Sequence, residues 1–178
     1  MTSAFGRFAL VLLLVGFVIF FIFYAMSLTD SGNRLAKTDV VTERSVIGGP
    51  SSGKPYSPAI LTTRYTLGEN GDRHIISRTL YVSGQIAIDP DTGAEVRDDV
   101  AAETRQVLEN IRRRVEEADF EMADGVKCTV FLADIADYAA MNEVYVEFFP
   151  ENPPARECVA VKEIVRGYRV EISLTAEK

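Results

Sequence analysis

One histidine, two cysteines and a shortage of basic residues set the first limits on this 178-residue chain. His74 stands alone in a run read as a hairpin strand. A Ser-His-Asp triad built on it has no supporting motif, and a solvated hairpin residue is the simpler reading. Cys128 and Cys158 fall in predicted strands with no CxxC or Cys/His spacing, so neither a disulfide framework nor a zinc site is indicated. Lys and Arg number 19 against 26 Asp and Glu, a formal charge of −7. That sign disfavours a protein that tracks a phosphate backbone and argues against nucleic acid as a partner. Arg112–Arg114 are assigned to the solvated face of a helix. Internal repeats and coiled-coil heptads are also missing.

What the chain does have is one long apolar run. Phe8 to Met26 is nineteen residues without a charge, and as a helix it would span roughly 28 Å, close to a bilayer's hydrocarbon core. Arg7 precedes it, and Asp30, Arg34 and Lys37 follow. Ala25-Met26-Ser27 has the small residues of a signal-peptidase site, so cleavage is the alternative. The run is longer than a usual signal core, which favours a retained single-pass anchor. A tail this short most simply stays inside, which places the rest of the chain outside the cytoplasm. The organisation expected is an anchor or signal over 1–27, a flexible tether over 28–50 and a globular domain over 51–178. Such a tether would hold the domain about 25 Å from the membrane.

From Tyr56 the pattern becomes globular. Ala59–Leu67 and His74–Ser83 are β-rich runs around Gly68-Glu69-Asn70-Gly71-Asp72, a hairpin turn because Asn-Gly tolerates positive φ. Asp89-Pro90-Asp91-Thr92-Gly93 is a tight turn that lacks the later ligands of a calcium loop. Asp98 or Asp99 then caps a helix to about Ala118, with Val100, Thr104, Val107, Leu108, Ile111 and Val115 as its buried stripe. Val126–Leu132 is a strand. Asp137 caps a second helix to about Phe149, with Tyr138, Met141, Val144 or Tyr145, and Phe148 inward. Strands over about Glu157–Val161 and Arg169–Thr175 close the chain. The order ββαβαββ predicts an α+β sandwich with both helices on one face of the sheet. The other face, left half-covered, argues for an oligomer.

Two charged residues in the last strands stand out. Arg156 follows Pro153-Pro154-Ala155, and Glu171 interrupts the apolar alternation of Val170, Ile172 and Leu174. Charged groups on such strands need partners. If both open into one crevice, they suit a small anionic substrate, with the guanidinium forking its carboxylate and the glutamate managing a proton.

The motifs together resemble one family. Pro55-Tyr56-Ser57, Tyr81-Val82-Ser83-Gly84-Gln85-Ile86, Asp89-Pro90-Asp91-Thr92-Gly93, Thr104 to Ile111, Val126 to Asp134, Asn142-Glu143-Val144-Tyr145 and Pro154-Ala155-Arg156-Glu157-Cys158-Val159 are similar, in order and spacing, to the RidA/YjgF family over about Tyr56 to Ala176. The resemblance implies a chorismate-mutase-like fold and a homotrimer whose sheets face an internal barrel, with sites between subunits. It implies hydrolysis of reactive enamine/imine intermediates such as 2-aminoacrylate to 2-keto acids and ammonia, without metal or organic cofactor. Residue by residue, it makes Arg156 the substrate-carboxylate arginine and Glu171 the holder of the attacking water. Tyr56 becomes a pocket tyrosine, and Gly84, Asn142 and Cys158 pocket-lining positions.

Three departures from the family pattern stand beside that match. The apolar segment and tether lie outside the usual domain. The hairpin from Leu61 to Thr79 is longer than typical. Glu157 sits where a small neutral residue is usual, and strand parity should turn it away from Arg156. Ser173 also replaces a frequent second acidic residue. A competing expectation is a membrane-tethered trimeric ligand-binding module without turnover. RNA cleavage, claimed for some relatives, is disfavoured by the acidic balance.

Overall fold

The computed structural model describes residues 39–49, 53 and 55–178. The expected anchor, Phe8–Met26, lies outside the described residues, as does most of the expected tether. Among the described residues no helix is long and apolar enough to cross a membrane.

Within the described residues eight regular elements follow in the order β1 (Val40–Ile47), β2 (Ala59–Leu67), β3 (Arg73–Gln85), α1 (Val100–Glu117), β4 (Gly125–Leu132), α2 (Tyr138–Phe148), β5 (Ala155–Ala160) and β6 (Val170–Glu177). Short 3-10 turns precede β4, α2 and β6. The six strands form one sheet in the order β1-β2-β3-β6-β4-β5. Pairing is antiparallel except between β4 and β5. That pair runs parallel because a helix carries the chain from one strand to the next.

The α+β sandwich is as expected, with one strand more. β1 falls within the stretch read as tether and pairs with β2 along its whole length, from Val40↔Thr66 to Ile47↔Ala59. Its residues are exposed except Val41 and Ile47, which are half-buried. Glu43 and Arg44 in mid-strand erase the apolar alternation that would have announced it. Backbone ladder bonds, which leave no side-chain signature, hold it in place.

β2 and β3 form because Ile60, Thr62, Thr63, Tyr65 and Thr66 and then Ile75, Ile76, Thr79, Tyr81 and Val82 are branched or aromatic. The turn between them needs Gly71, whose φ is +82°. β3 pairs with β6 only from Thr79 to Gln85, so the outer part of the hairpin extends beyond the main sheet beside β1. Leu67, Ile75 and Ile76 are exposed there.

α1 starts where Asp99 accepts a hydrogen bond from the Ala102 amide (2.7 Å), and the whole expected stripe is buried. Arg112–Arg114 pair with acidic neighbours, including Arg113 with Asp91 (2.6 Å) and Arg114 with Glu117 (2.5 Å). Asp137 precedes α2 but its side chain caps nothing. Its carboxylate takes both prongs of Arg169 instead (3.0 and 2.6 Å). The Arg169 amide donates to buried Glu103 of α1 (2.7 Å). A bidentate guanidinium outcompetes a capping amide for the carboxylate, and the exchange ties α1, α2 and β6 together.

Both helices cover the face formed by Leu80, Val82, Cys128, Val130, Leu132, Val170, Ile172 and Leu174, all buried. The other face carries Ile60, Thr62, Tyr81, Thr129, Phe131, Glu171, Ser173 and Thr175, none of them buried. One correction concerns α2. Tyr138, expected inward, is 42% exposed, whereas Met141, Val144 and Tyr145 are buried.

Candidate functional site

Strand alternation decides where the expected residues go. On β5, Arg156 pairs in register with Cys128 and therefore points to the helix side. On β6, Glu171 pairs with Phe131, while its neighbour Ile172 is the buried one. Glu171 therefore points to the uncovered side. The two charges lie on opposite faces of the sheet and do not meet within one chain. The expectation of a shared crevice fails at the level of a single subunit, because two strands flanking β4 contribute residues of opposite parity.

The Arg156 patch is built by β5 and α2. The guanidinium lies over the Tyr145 ring at 4.5 Å and near the Tyr138 ring at 5.7 Å. Its Nη2 donates to the Tyr138 hydroxyl (3.2 Å), and Nη1 points at the Met141 sulfur (4.0 Å). Among the described residues no carboxylate pairs with it. Glu157 lies on the opposite face and is held by Lys127 (2.5 Å), so the neighbouring acid does not neutralise the arginine. A cleft of about 540 Å³ opens beside the guanidinium, lined by Asn142, Tyr145, Val146, Phe149, Pro153, Pro154 and Arg156. Asn142 and Arg156 thus line the same cleft.

Cys158 shares the helix-side parity of Arg156, two residues on. Burial pushes its thiol up, with Arg156 opposing. Such a thiol stays protonated at neutral pH, which suits a wall better than a nucleophile. Burial likewise raises the Cys128 thiol and the Tyr145 phenol. The Tyr145 hydroxyl is buried beside Cys128 with no hydrogen bond of ordinary geometry.

The second patch gathers around Glu171. The β3–β6 register slips between Val82 and Gln85, which takes Gly84 out of the ladder. The Glu171 carboxylate lies against the Gly84 backbone: a Cβ on Gly84 would sit 2.0 Å from Glu171 Oε1. The segment carrying Tyr56 is fastened alongside, since the Ser83 hydroxyl donates to the Ser57 carbonyl (2.7 Å). Tyr56 itself is 54% exposed. Burial pushes the Glu171 carboxyl above its ordinary value of 4.5, and burial is the whole cause. Arg156 does not reach it.

The contact at Gly84 yields one test. Gly84→Ala displaces only the tip of a flexible side chain, so the fold should survive while the carboxylate moves. Activity is expected to fall about tenfold or more with little change in melting temperature. An unaltered rate would show that the position of Glu171 is immaterial.

The six expected residues therefore divide into two groups on opposite faces of the sheet: Arg156, Asn142 and Cys158 on the helix side, and Glu171, Gly84 and the Tyr56 segment on the other. Sequence reasoning missed Tyr138, Met141 and Tyr145 as the seat of Arg156. Their spacing along α2 was legible, but it reads equally as a core stripe.

Comparisons place these features among known proteins. The sequence profile described as Endoribonuclease L-PSP matches residues 50–178. A human protein named 2-iminobutanoate/2-iminopropanoate deaminase is 36% identical over 132 residues, covering 74% of this chain and 86% of the relative. A RutC family protein of Pyrococcus horikoshii is 46% identical over 99 residues, 56% of this chain and 79% of the relative. Among solved structures, Escherichia coli TdcF with bound serine superposes with a TM-score of 0.60 at 30% identity, covering 75% of this chain and 98% of the other.

Proposed function

We propose, for a chain that belongs to the RidA/YjgF (endoribonuclease L-PSP) family, that it hydrolyses short 2-imino acids to 2-keto acids and ammonia at sites shared between subunits of a homotrimer. The observation that carries this reading is the state of Arg156. A half-buried guanidinium seated on aromatic rings, with no carboxylate partner among the described residues and an open cleft beside it, is arranged to receive an anion from outside. The division into half-sites supports assembly. A cyclic trimer sets one surface of each subunit against a different surface of the next, which allows the Arg156 patch of one to face the Glu171 patch of another.

In that arrangement the substrate carboxylate docks on Arg156. Glu171, as the anion, takes a proton from a water molecule while the water oxygen bonds to the imine carbon. The carbon–nitrogen π bond breaks toward nitrogen, which receives the proton that Glu171 has just taken. The resulting carbinolamine gives its hydroxyl proton to Glu171, which passes it to nitrogen, and the carbon–nitrogen bond breaks as the C=O π bond forms, releasing ammonia and leaving the keto acid. No group other than these side chains and water is required. The reaction is feasible unaided, so one general base worth about 10²–10⁴-fold, with positioning, is sufficient.

The test uses two inactive variants of the full chain, Arg156→Ala and Glu171→Gln, unfolded and refolded together in equal amounts. A mixed cyclic trimer regains one intact site, so about a quarter of parental ammonia release from 2-iminobutanoate is expected. No recovery would mean that the site is not shared. The alternative, a ligand-binding module, is favoured by the separation of the two charges within one chain. It predicts binding of 2-oxobutanoate without ammonia release by the parent protein.

Phe8–Met26 is further proposed as a single-pass anchor that leaves the domain outside the cytoplasm. The supporting observation is its uncharged length. The full chain is then expected to remain in the membrane fraction after alkaline carbonate washing, and release into the supernatant would refute the anchor.

A further inference from the structure

The contacts of Arg156 single out Tyr138, the first residue of α2, which stands 42% exposed at the rim of the sheet. Its hydroxyl accepts a hydrogen bond from Arg156 Nη2 (3.2 Å). A phenol that accepts from a guanidinium still has its own proton to give, because a guanidinium has no acceptor. Among the described residues nothing takes that proton. Beneath, the Tyr145 ring at 4.5 Å and the Met141 sulfur at 4.0 Å fix the guanidinium from its other sides. The free edge of the cation and the unassigned phenol proton are therefore neighbours.

A carboxylate has about four lone-pair positions, and a two-pronged arginine contact uses one on each oxygen. The oxygen nearest Nη2 keeps a second lone pair within reach of Tyr138. We propose that Tyr138 is a specificity-determining residue of this cleft. Its O–H donates to the same carboxylate that Arg156 clamps, so that two hydrogen bonds become three and 2-imino acids are selected over neutral imines. This rests on the reading of Arg156 as the substrate's anchor.

The test compares the full-length parent with Tyr138→Phe, which keeps the ring and removes the hydroxyl at an exposed position. KM for 2-iminobutanoate and the Kd for 2-oxobutanoate are expected to weaken about tenfold, a normal effect for one hydrogen bond to a charged group. The turnover number should hold within about twofold, since the contact is present in ground and transition states alike. Affinity for 2-oxobutanamide, which lacks the charge, should not change. Tyr138→Phe should also weaken 2-oxobutanoate binding in an Arg156→Ala background, followed by NMR titration. No added weakening there would make Tyr138 only a prop for the arginine and would overturn the proposal. So would an unchanged KM, or a loss confined to turnover. If the parent itself neither binds 2-oxobutanoate nor releases ammonia, the reading of the Arg156 site falls, and this inference with it.

Discussion

Replacing Arg156 by alanine is expected to lower kcat/KM for 2-iminobutanoate by the equivalent of about 2–5 kcal/mol, roughly thirtyfold to several thousandfold. Among the described residues lining the cleft the guanidinium is the one positive group, and its seat is made of two aromatic rings and a thioether. A charge held that way forgoes an internal partner, so its interaction with an incoming carboxylate is not discounted by a resident ion pair. Arg156→Lys should restore little, because an ammonium is a point charge without the planar fork and stacks less well on Tyr145. Steady-state ammonia release by the full chain reads the result. A variant that clears the imine at the parental rate would remove the arginine from the mechanism.

Glu171→Gln is expected to lower kcat by about 10²–10⁴-fold, the range of a lost general base, with KM changed much less. The pH profile sharpens this. Burial raises the carboxyl above its ordinary 4.5, and only the anion accepts the proton of water. The parental rate should therefore fall as pH drops through that raised value, and the glutamine variant should lose this acid limb. The stability effect has the opposite sign. A carboxyl whose folded-state pKa is raised contributes most below its unfolded value, and that contribution is lost as pH rises through the folded one. At neutral pH the buried anion is thus a cost, and Glu171→Gln should melt slightly higher than the parent while working far less well. A variant that keeps both its rate and its acid limb would exclude Glu171 as the base.

Much of the fold was legible because its signals are local. The apolar stripe of α1 from Val100 to Val115 repeats at helical spacing, Asp99 has the chemistry of a cap, and Asn70-Gly71 announces the first hairpin. β1 escaped notice because its contribution to the sheet is made by backbone bonds, with charges at Glu43 and Arg44 where a buried strand would show alternation. Asp137 was misread for a related reason. The amide it might have capped is its near neighbour in sequence, whereas Arg169, which takes its carboxylate, is distant in the chain and brought close only by folding.

The candidate site divides in the same way. Arg156 and Glu171 stood out as charges on strands, Gly84 and Asn142 entered only through the family resemblance, and strand parity correctly turned Glu157 away from the arginine. Parity applied to two strands on either side of β4 also separates Arg156 from Glu171, but only once the sheet order and register are known. The linear chain settles which residues carry charge and which stripe must be buried, since those follow from side-chain chemistry and the helical and strand repeats. Only the folded arrangement settled which face each charge occupies and what seats the guanidinium, because register and packing depend on partners far apart in the chain.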